Sequence, residues 1–111
     1  MKLNNIYRCS KAGKGNEVSK ILAEKKISGK SVIVEKIVSN GAASPEGFWY
    51  DQKYDEFVIV LKGRAKIGFY KKKSIELKAG DYLTIPKHVR HRIEYTSSKP
   101  KCVWLAVLLG A

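Results

Sequence analysis

The segments EFVIVLKG, residues 56–63, and GDYLTIPKHVRH, residues 80–91, decide the fold of this chain. Each is a short run of β-branched and aromatic residues bounded by glycine or proline, which is the pattern of a β-strand between turns. Gly63 and Gly80 suit hairpin corners, because glycine adopts positive φ without steric cost. Pro86 has no backbone N–H and therefore predicts the end of an edge strand.

The first segment predicts a strand with two apolar faces. Successive side chains of a strand point to opposite faces, so Glu56 shares one face with Val58 and Val60. The opposite face is also apolar and consists of Phe57, Ile59 and Leu61. Something must cover that outer face, either the amino-terminal segment or a second copy of the chain. A homodimer packed on this sheet is therefore expected.

The second segment predicts a buried histidine. Alternation places His91 on one face with Val89, Ile93 and Tyr95, so its imidazole points inward among apolar neighbours.

Short apolar runs of the same kind continue along most of the chain and predict an antiparallel β-barrel, whose closure removes exposed sheet edges. Before them, residues 16–26 place Val18, Ile21 and Leu22 at helical spacing and predict a short amino-terminal helix. The chain is expected to be a single domain, residues 1–111, with its barrel core at about 31–109. The predicted strands are 31–38, 48–53, 56–61, 65–70, 74–77, 82–85, 89–95 and 102–109.

Composition favours a soluble cytoplasmic protein. The 111 residues are 44% hydrophobic, which is enough for one core, and no apolar run is long enough to cross a membrane. The amino terminus has no signal-peptide pattern. Cys9 and Cys102 lack the spacing of a zinc site or a disulfide framework and are expected to be free thiols, with Cys102 buried.

The net charge of +12 raises the question of nucleic acid. The lysines are scattered, and their one dense run, residues 71–73, falls where a hairpin should turn. This pattern favours a solvated basic surface. Electrostatic binding of nucleic acid is the least favoured alternative.

The first segment resembles the end of the first motif of the cupin superfamily, G-x5-H-x-H-x3/4-E-x6-G. Residues 56–63 match E-x6-G, whereas Tyr50 and Gln52 stand at the usual histidine positions. The stretch WYDQ, residues 49–52, resembles a subgroup of small cupins that carries it in place of those histidines.

The second segment resembles the second cupin motif, G-x5-P-x-G-x2-H-x3-N. Gly80 to His91 follow its spacing, with His88 at the usual glycine and Tyr95 at the usual asparagine. The resemblance covers about residues 40–108 and implies a cupin-type β-barrel, also called a jelly roll.

The resemblance also implies a site. In metal-binding cupins, three histidines and a glutamate converge inside the barrel on iron, manganese, nickel or zinc. Carried over by position, these ligands correspond to Tyr50, Gln52, Glu56 and His91. An imidazole, a carboxylate and an amide oxygen from His91, Glu56 and Gln52 can form a three-ligand divalent site. Such oxygen-rich donors favour manganese, iron or magnesium over a structural zinc.

A metal-free alternative stands beside this one. Glu56 can instead accept hydrogen bonds from Tyr50, Gln52 and His91, which would satisfy polar groups that are costly to bury alone. Burial would raise the pKa of Glu56 and suit Glu56 and His91 to catalysis as a general acid–base pair.

A pocket for a small polar molecule is expected around this pair. Its function is interpreted either as that of a metal-dependent enzyme or as that of a non-catalytic binding module. Without two of the usual histidines, a conventional three-histidine dioxygenase is disfavoured. The pocket residues expected around the pair are Trp49, Tyr50, Tyr54, His88 and Tyr95.

Overall fold

Eight β-strands make up the regular structure of the residues that the structure describes. The computed structural model describes residues 1–8 and 11–111. Within those ranges no residue lies in an α-helix, and none of the described segments forms a helix that could cross a membrane. In chain order the strands are β1 (Glu17–Ile27), β2 (Lys30–Ser39), β3 (Asp55–Lys62), β4 (Arg64–Phe69), β5 (Ile75–Lys78), β6 (Tyr82–Ile85), β7 (His91–Thr96) and β8 (Cys102–Leu109).

The strands form two antiparallel sheets, which confirms the predicted all-β architecture. One sheet has the order β1-β2-β8-β3-β6 and the other has the order β5-β4-β7. The core lies between them, where Val60 and Trp104 of the larger sheet pack with Ile67 of the smaller sheet. The indole Nε1 of Trp104 donates a hydrogen bond of 3.3 Å to Ser39 Oγ, so its polar atom is satisfied within the core.

The predicted amino-terminal helix at residues 16–26 is wrong, because this segment forms β1. β1 pairs with β2 and carries a bulge between Ile21 and Ala23. All eleven of its residues are exposed. The helical spacing of Val18, Ile21 and Leu22 therefore does not correspond to a buried face. A helix this short gains too little from its own hydrogen bonds to compete with the pairing of this segment with β2.

The predicted strand at residues 48–53 is also wrong. This segment makes a single β-bridge, in which Tyr50 and His91 exchange backbone hydrogen bonds of 2.7 and 3.1 Å. Gly47, with φ of +79°, turns the chain just before it. The other predicted strands are confirmed with small shifts at their ends, and Pro86 directly follows the edge strand β6 as expected.

Gly63 and Gly80 both have positive φ, +79° and +94°, as the sequence predicts. Their surroundings differ. A Cβ on Gly63 would lie 2.8 Å from the carbonyl oxygen of Lys101 and 3.0 Å from Cα of Cys102, whereas a Cβ on Gly80 would meet nothing within 4 Å. Of these two turns, only the one between β3 and β4 lies so close to another segment of backbone that a side chain would not fit.

Cys102 is a free, fully buried thiol at the start of β8. Burial, with a smaller contribution from the charge of Glu17, raises its pKa to about 12. Cys9 lies outside the described residues.

Candidate functional site

A cavity of about 230 Å³ opens between the two sheets. It is called the barrel cavity below. Strands β1, β2, β3, β4, β6, β7 and β8 contribute to its wall, together with the segment between β2 and β3. Its polar lining residues are Glu17, Ser19, Glu35, Tyr50, Gln52, Tyr54, Glu56 and His91, and its apolar ones are Ile37, Val58, Ile67, Ile85, Ile93 and Trp104.

The structure brings Glu56 and His91 together at this cavity. Glu56 lies on the inner face of β3, directly opposite Ile85 of β6 and Leu108 of β8. His91 begins β7 in the other sheet. Glu56 Oε1 and His91 Nε2 are 3.8 Å apart, and the two residues are only 8% and 3% exposed. The alternation of side chains thus places a carboxylate and an imidazole face to face across the core.

The backbone fixes the tautomer of His91. Its Nδ1 lies 2.9 Å from the carbonyl oxygen of Val89, which can only accept, so Nδ1 carries the proton. Burial lowers the pKa of His91 and favours the neutral ring. Nε2 therefore presents a lone pair to the barrel cavity. The ring of Tyr50 stacks on the imidazole, with ring centres 5.3 Å apart, and holds its plane.

Glu56 holds its proton more tightly than an exposed glutamate does. Burial, followed by the negative charge of Glu35, raises its pKa to about 7. A hydrogen bond from Gln52 lowers it, and the more distant charge of Glu17 raises it again. Both protonation states of this carboxyl group are consequently populated at neutral pH, which is the condition for a general acid–base group.

Two carboxylates of the barrel cavity were not predicted. Glu35 is half-buried on β2, and its pKa is raised by burial and by the charge of Glu17 on the neighbouring β1. Alternation within 31–38 could have placed Glu35 on the face of Ile37. Glu17 could not be found, because its segment was assigned to a helix.

Two of the three ligand atoms implied for a metal converge at the cavity. They are His91 Nε2 and Glu56 Oε1, and the third residue, Gln52, donates a hydrogen bond from its amide nitrogen to Tyr54 Oη at 3.0 Å. Across the described ranges no group of three or more histidine, cysteine, aspartate or glutamate side chains could hold a metal ion.

The prediction that Tyr95 lines the pocket is wrong, since its side chain faces outward and is 49% exposed. A bulge interrupts the pairing of β4 with β7, so Ile93 opposes Ile67 but Tyr95 opposes Lys66. The extra residue, Glu94, reverses the alternation after it. Thr96 consequently takes the inward position expected of Tyr95.

Trp49 and His88 also lie outside the barrel cavity. Trp49 packs edge-on against Tyr70 with ring centres 5.3 Å apart. His88 is exposed, and its Nδ1 lies 2.8 Å from a carboxylate oxygen of Asp51. Of the predicted pocket residues, Tyr50 and Tyr54 reach the cavity.

The comparison with family models agrees with the resemblance seen in the sequence. The Cupin domain model matches residues 37–108. A search of curated proteins found no match.

Solved structures share the fold. A protein of Ralstonia eutropha JMP134, named a "putative mannose-6-phosphate isomerase", is 38% identical over the whole of both chains, with a TM-score of 0.89. A cupin superfamily protein of Desulfitobacterium hafniense DCB-2 is 22% identical over 91% of this chain and 84% of its own, with a TM-score of 0.71. A conserved Streptococcus pyogenes protein of unknown function is 14% identical over 99% of this chain and 88% of its own, with a TM-score of 0.74.

Proposed function

The chain belongs to the cupin family, and we propose that its barrel cavity binds a small polar molecule with which Glu56 and His91 exchange protons. The observation that carries this proposal is the approach of Glu56 Oε1 to His91 Nε2, at 3.8 Å, inside a cavity large enough for a ligand of a few heavy atoms. Pockets for larger ligands usually exceed about 300 Å³.

The two side chains have complementary roles in proton transfer. His91 Nε2 is an acceptor, because Nδ1 holds the proton of the neutral ring. Glu56, with its pKa near 7, can donate a proton in one step and accept one in the next. A bound molecule that contacts both atoms could lose a proton to one and receive a proton from the other.

Isomerisation is a reaction class that this pair suits. The Ralstonia eutropha relative is named as an isomerase, and isomerisation moves protons between neighbouring atoms. Only this reaction class, and not a phosphorylated sugar, is carried over to the small cavity of this chain. This chemistry requires an acid and a base on one substrate, and it can proceed without a metal.

Ligand screening by thermal shift, in the presence of a chelator, tests the proposal. At least one small polar compound should raise the melting temperature of the wild-type protein, and Glu56→Gln and His91→Asn should each abolish that shift. His88→Asn is the matched control, because His88 is exposed and outside the barrel cavity. Shifts that persist in both cavity variants would contradict the proposal.

Metal analysis supplies a second test. Protein purified without a metal-affinity step should contain far less than one equivalent of manganese, iron, magnesium or zinc. A stoichiometric metal that is lost in both Gln52→Ala and His91→Ala would restore the three-ligand centre implied by the family resemblance and overturn the metal-free pair.

The second part of the proposal is a homodimer formed through the outer face of the larger sheet. The amino-terminal segment covers one end of that face, where Lys36 Nζ donates to the carbonyl oxygen of Arg8 at 2.9 Å and Ala12 packs on Val38 and Val103. The remaining apolar side chains stay half-exposed; they are Val34, Phe57, Ile59, Leu105 and Val107.

The accessible surface supports this pairing. It measures 7568 Å² for a chain of 12.5 kDa. A folded monomer of that mass is expected to expose roughly 6,200 Å². The excess, roughly 1,400 Å², is larger than the roughly 800 Å² that one partner loses in a standard interface and falls in the range of permanent homodimers.

A further inference from the structure

The charges of this protein are segregated between its surface and its barrel cavity. The chain has 22 lysines and arginines, all within residues 1–8 and 11–111, and not one of them lines the cavity. Only 10 residues are aspartate or glutamate, yet three of them, Glu17, Glu35 and Glu56, do line it. A strongly basic chain thus encloses an acidic interior.

The three carboxylates lie along one wall. Glu56 is on β3 and Glu35 on β2, with β8 between the two strands, and Glu17 is on the neighbouring β1. Glu17 is exposed, Glu35 is half-buried and Glu56 is buried. They therefore form a row of carboxyl groups that runs from an exposed to a buried position along the cavity.

His91 supplies a hydrogen-bond acceptor at the same cavity. The residue is 3% exposed, and its side chain is held by the hydrogen bond between Nδ1 and the carbonyl oxygen of Val89. Nε2, which bears the lone pair, has its nearest acidic oxygen at 3.8 Å, beyond hydrogen-bond distance. Nε2 can therefore accept a hydrogen bond from a ligand in the cavity that carries an N–H group.

The remaining wall limits the size and shape of the ligand. The cavity of about 230 Å³ is lined beside the pair by Val58, Ile67 and Ile85. Such side chains accommodate a short hydrocarbon chain, whereas the carboxylates and His91 accommodate a charged nitrogen.

We propose that the barrel cavity selects a small organic ammonium ion, such as a short primary amine, and rejects carboxylates and phosphates of similar size. This inference rests on the proposed function, since it names the ligand class of the same cavity. An ammonium group donates several hydrogen bonds and neutralises the acidic wall. A phosphate or carboxylate would instead face three carboxylates without a basic partner.

A series of equal size and different charge tests this selectivity. Propylammonium, propanol and propionate are titrated at millimolar concentration, constant ionic strength and pH 7.5, with a chelator present. Binding is followed by the imidazole NMR resonances of His91. Propylammonium should perturb those resonances saturably, propanol should bind at least tenfold more weakly, and propionate should have no effect.

Variants connect the selectivity to the acidic wall. Glu35→Gln should weaken propylammonium binding about tenfold, because it removes a carboxylate without a change of shape. Glu46→Gln, on an exposed loop, is the matched control and should leave the affinity unchanged. Equal weakening in both variants would assign the effect to net charge and overturn the inference.

The outcomes separate the inference from the proposed function. Preference for propanol or propionate, or no saturable binding of propylammonium, overturns the amine selectivity, while the wider ligand screen on Glu56 and His91 variants still decides the proposed function. Perturbation of His91 by magnesium or manganese as strong as that by propylammonium, in samples without chelator, would also overturn it in favour of an inorganic cation.

Discussion

Nε2 of His91 faces Oε1 of Glu56 across 3.8 Å, and each residue reaches that position from a different sheet. The backbone carbonyl of Val89 fixes the proton on the far side of the imidazole. The burial and hydrogen bonding that the fold imposes therefore determine how tightly Glu56 and His91 bind protons. Urea unfolding, NMR spectroscopy and substitutions can each measure this.

Glu56→Gln should flatten the dependence of stability on pH. The folded protein binds the Glu56 proton with a pKa of about 7, against 4.5 for the ordinary group. The raised pKa stabilises the folded protein by about 3 kcal/mol below pH 4.5, and this stabilisation is lost as pH rises through 7. Urea unfolding at pH 5 and pH 8 should show a smaller decline for Glu56→Gln than for the wild type. Part of the decline in stability should remain in Glu56→Gln, because the pKa of Glu35 is also raised.

Glu46→Gln serves as the control for this experiment, because Glu46 is exposed in a loop. Its profile should follow that of the wild type. Identical slopes for Glu56→Gln and the wild type would mean that Glu56 is not the buried proton-binding group.

His91 should remain neutral at pH 7, with its proton on Nδ1. The acceptor carbonyl of Val89 and the burial of the ring both require this state. Nitrogen-15 chemical shifts of the imidazole distinguish the tautomers directly. A protonated Nε2, or an imidazolium at pH 7, would refute the assignment.

Gly63→Ala should destabilise the protein far more than Gly80→Ala. Both substitutions place alanine at positive φ, which costs about 1–2 kcal/mol. The Gly63 Cβ would also press on the backbone of Lys101 and Cys102, which should add about 1–3 kcal/mol. Chemical unfolding of the two variants measures the difference, and equal losses would show that the contact with Lys101 relaxes without cost.

The protein should sediment as a dimer, with twice the 12.5 kDa mass of one chain. Val107→Lys places a charge at the centre of the half-exposed outer face of the larger sheet and should give monomers. Tyr95→Lys, on the exposed face of the smaller sheet, is the matched control and should remain dimeric. A wild-type mass of one chain would refute the dimer.

Alternation and turn residues in the sequence predicted most of the strands and the inward position of His91, and the resemblance to the cupin motifs placed Glu56 and His91 in one site. The sequence prediction failed at β1, where every side chain is exposed and hydrophobic spacing carries no information about a core. It failed again at Tyr95, because a bulge at Glu94 is set by pairing with β4 and leaves no mark in the spacing of apolar residues.

The acidic wall was missed for a related reason. Glu17 and Glu35 become neighbours only when β1 and β2 pair, and that pairing was not predicted. Partners brought together by tertiary register cannot be identified from the local pattern of either strand alone.

The rate at which the Cys102 thiol is labelled can report local opening of the fold. A thiol with no exposed surface and a pKa of about 12 reacts with an aromatic disulfide reagent only when the chain around it opens. In a Cys9→Ser background it would be the sole thiol of the chain, so its labelling rate would report how often β8 separates from its neighbours under native conditions.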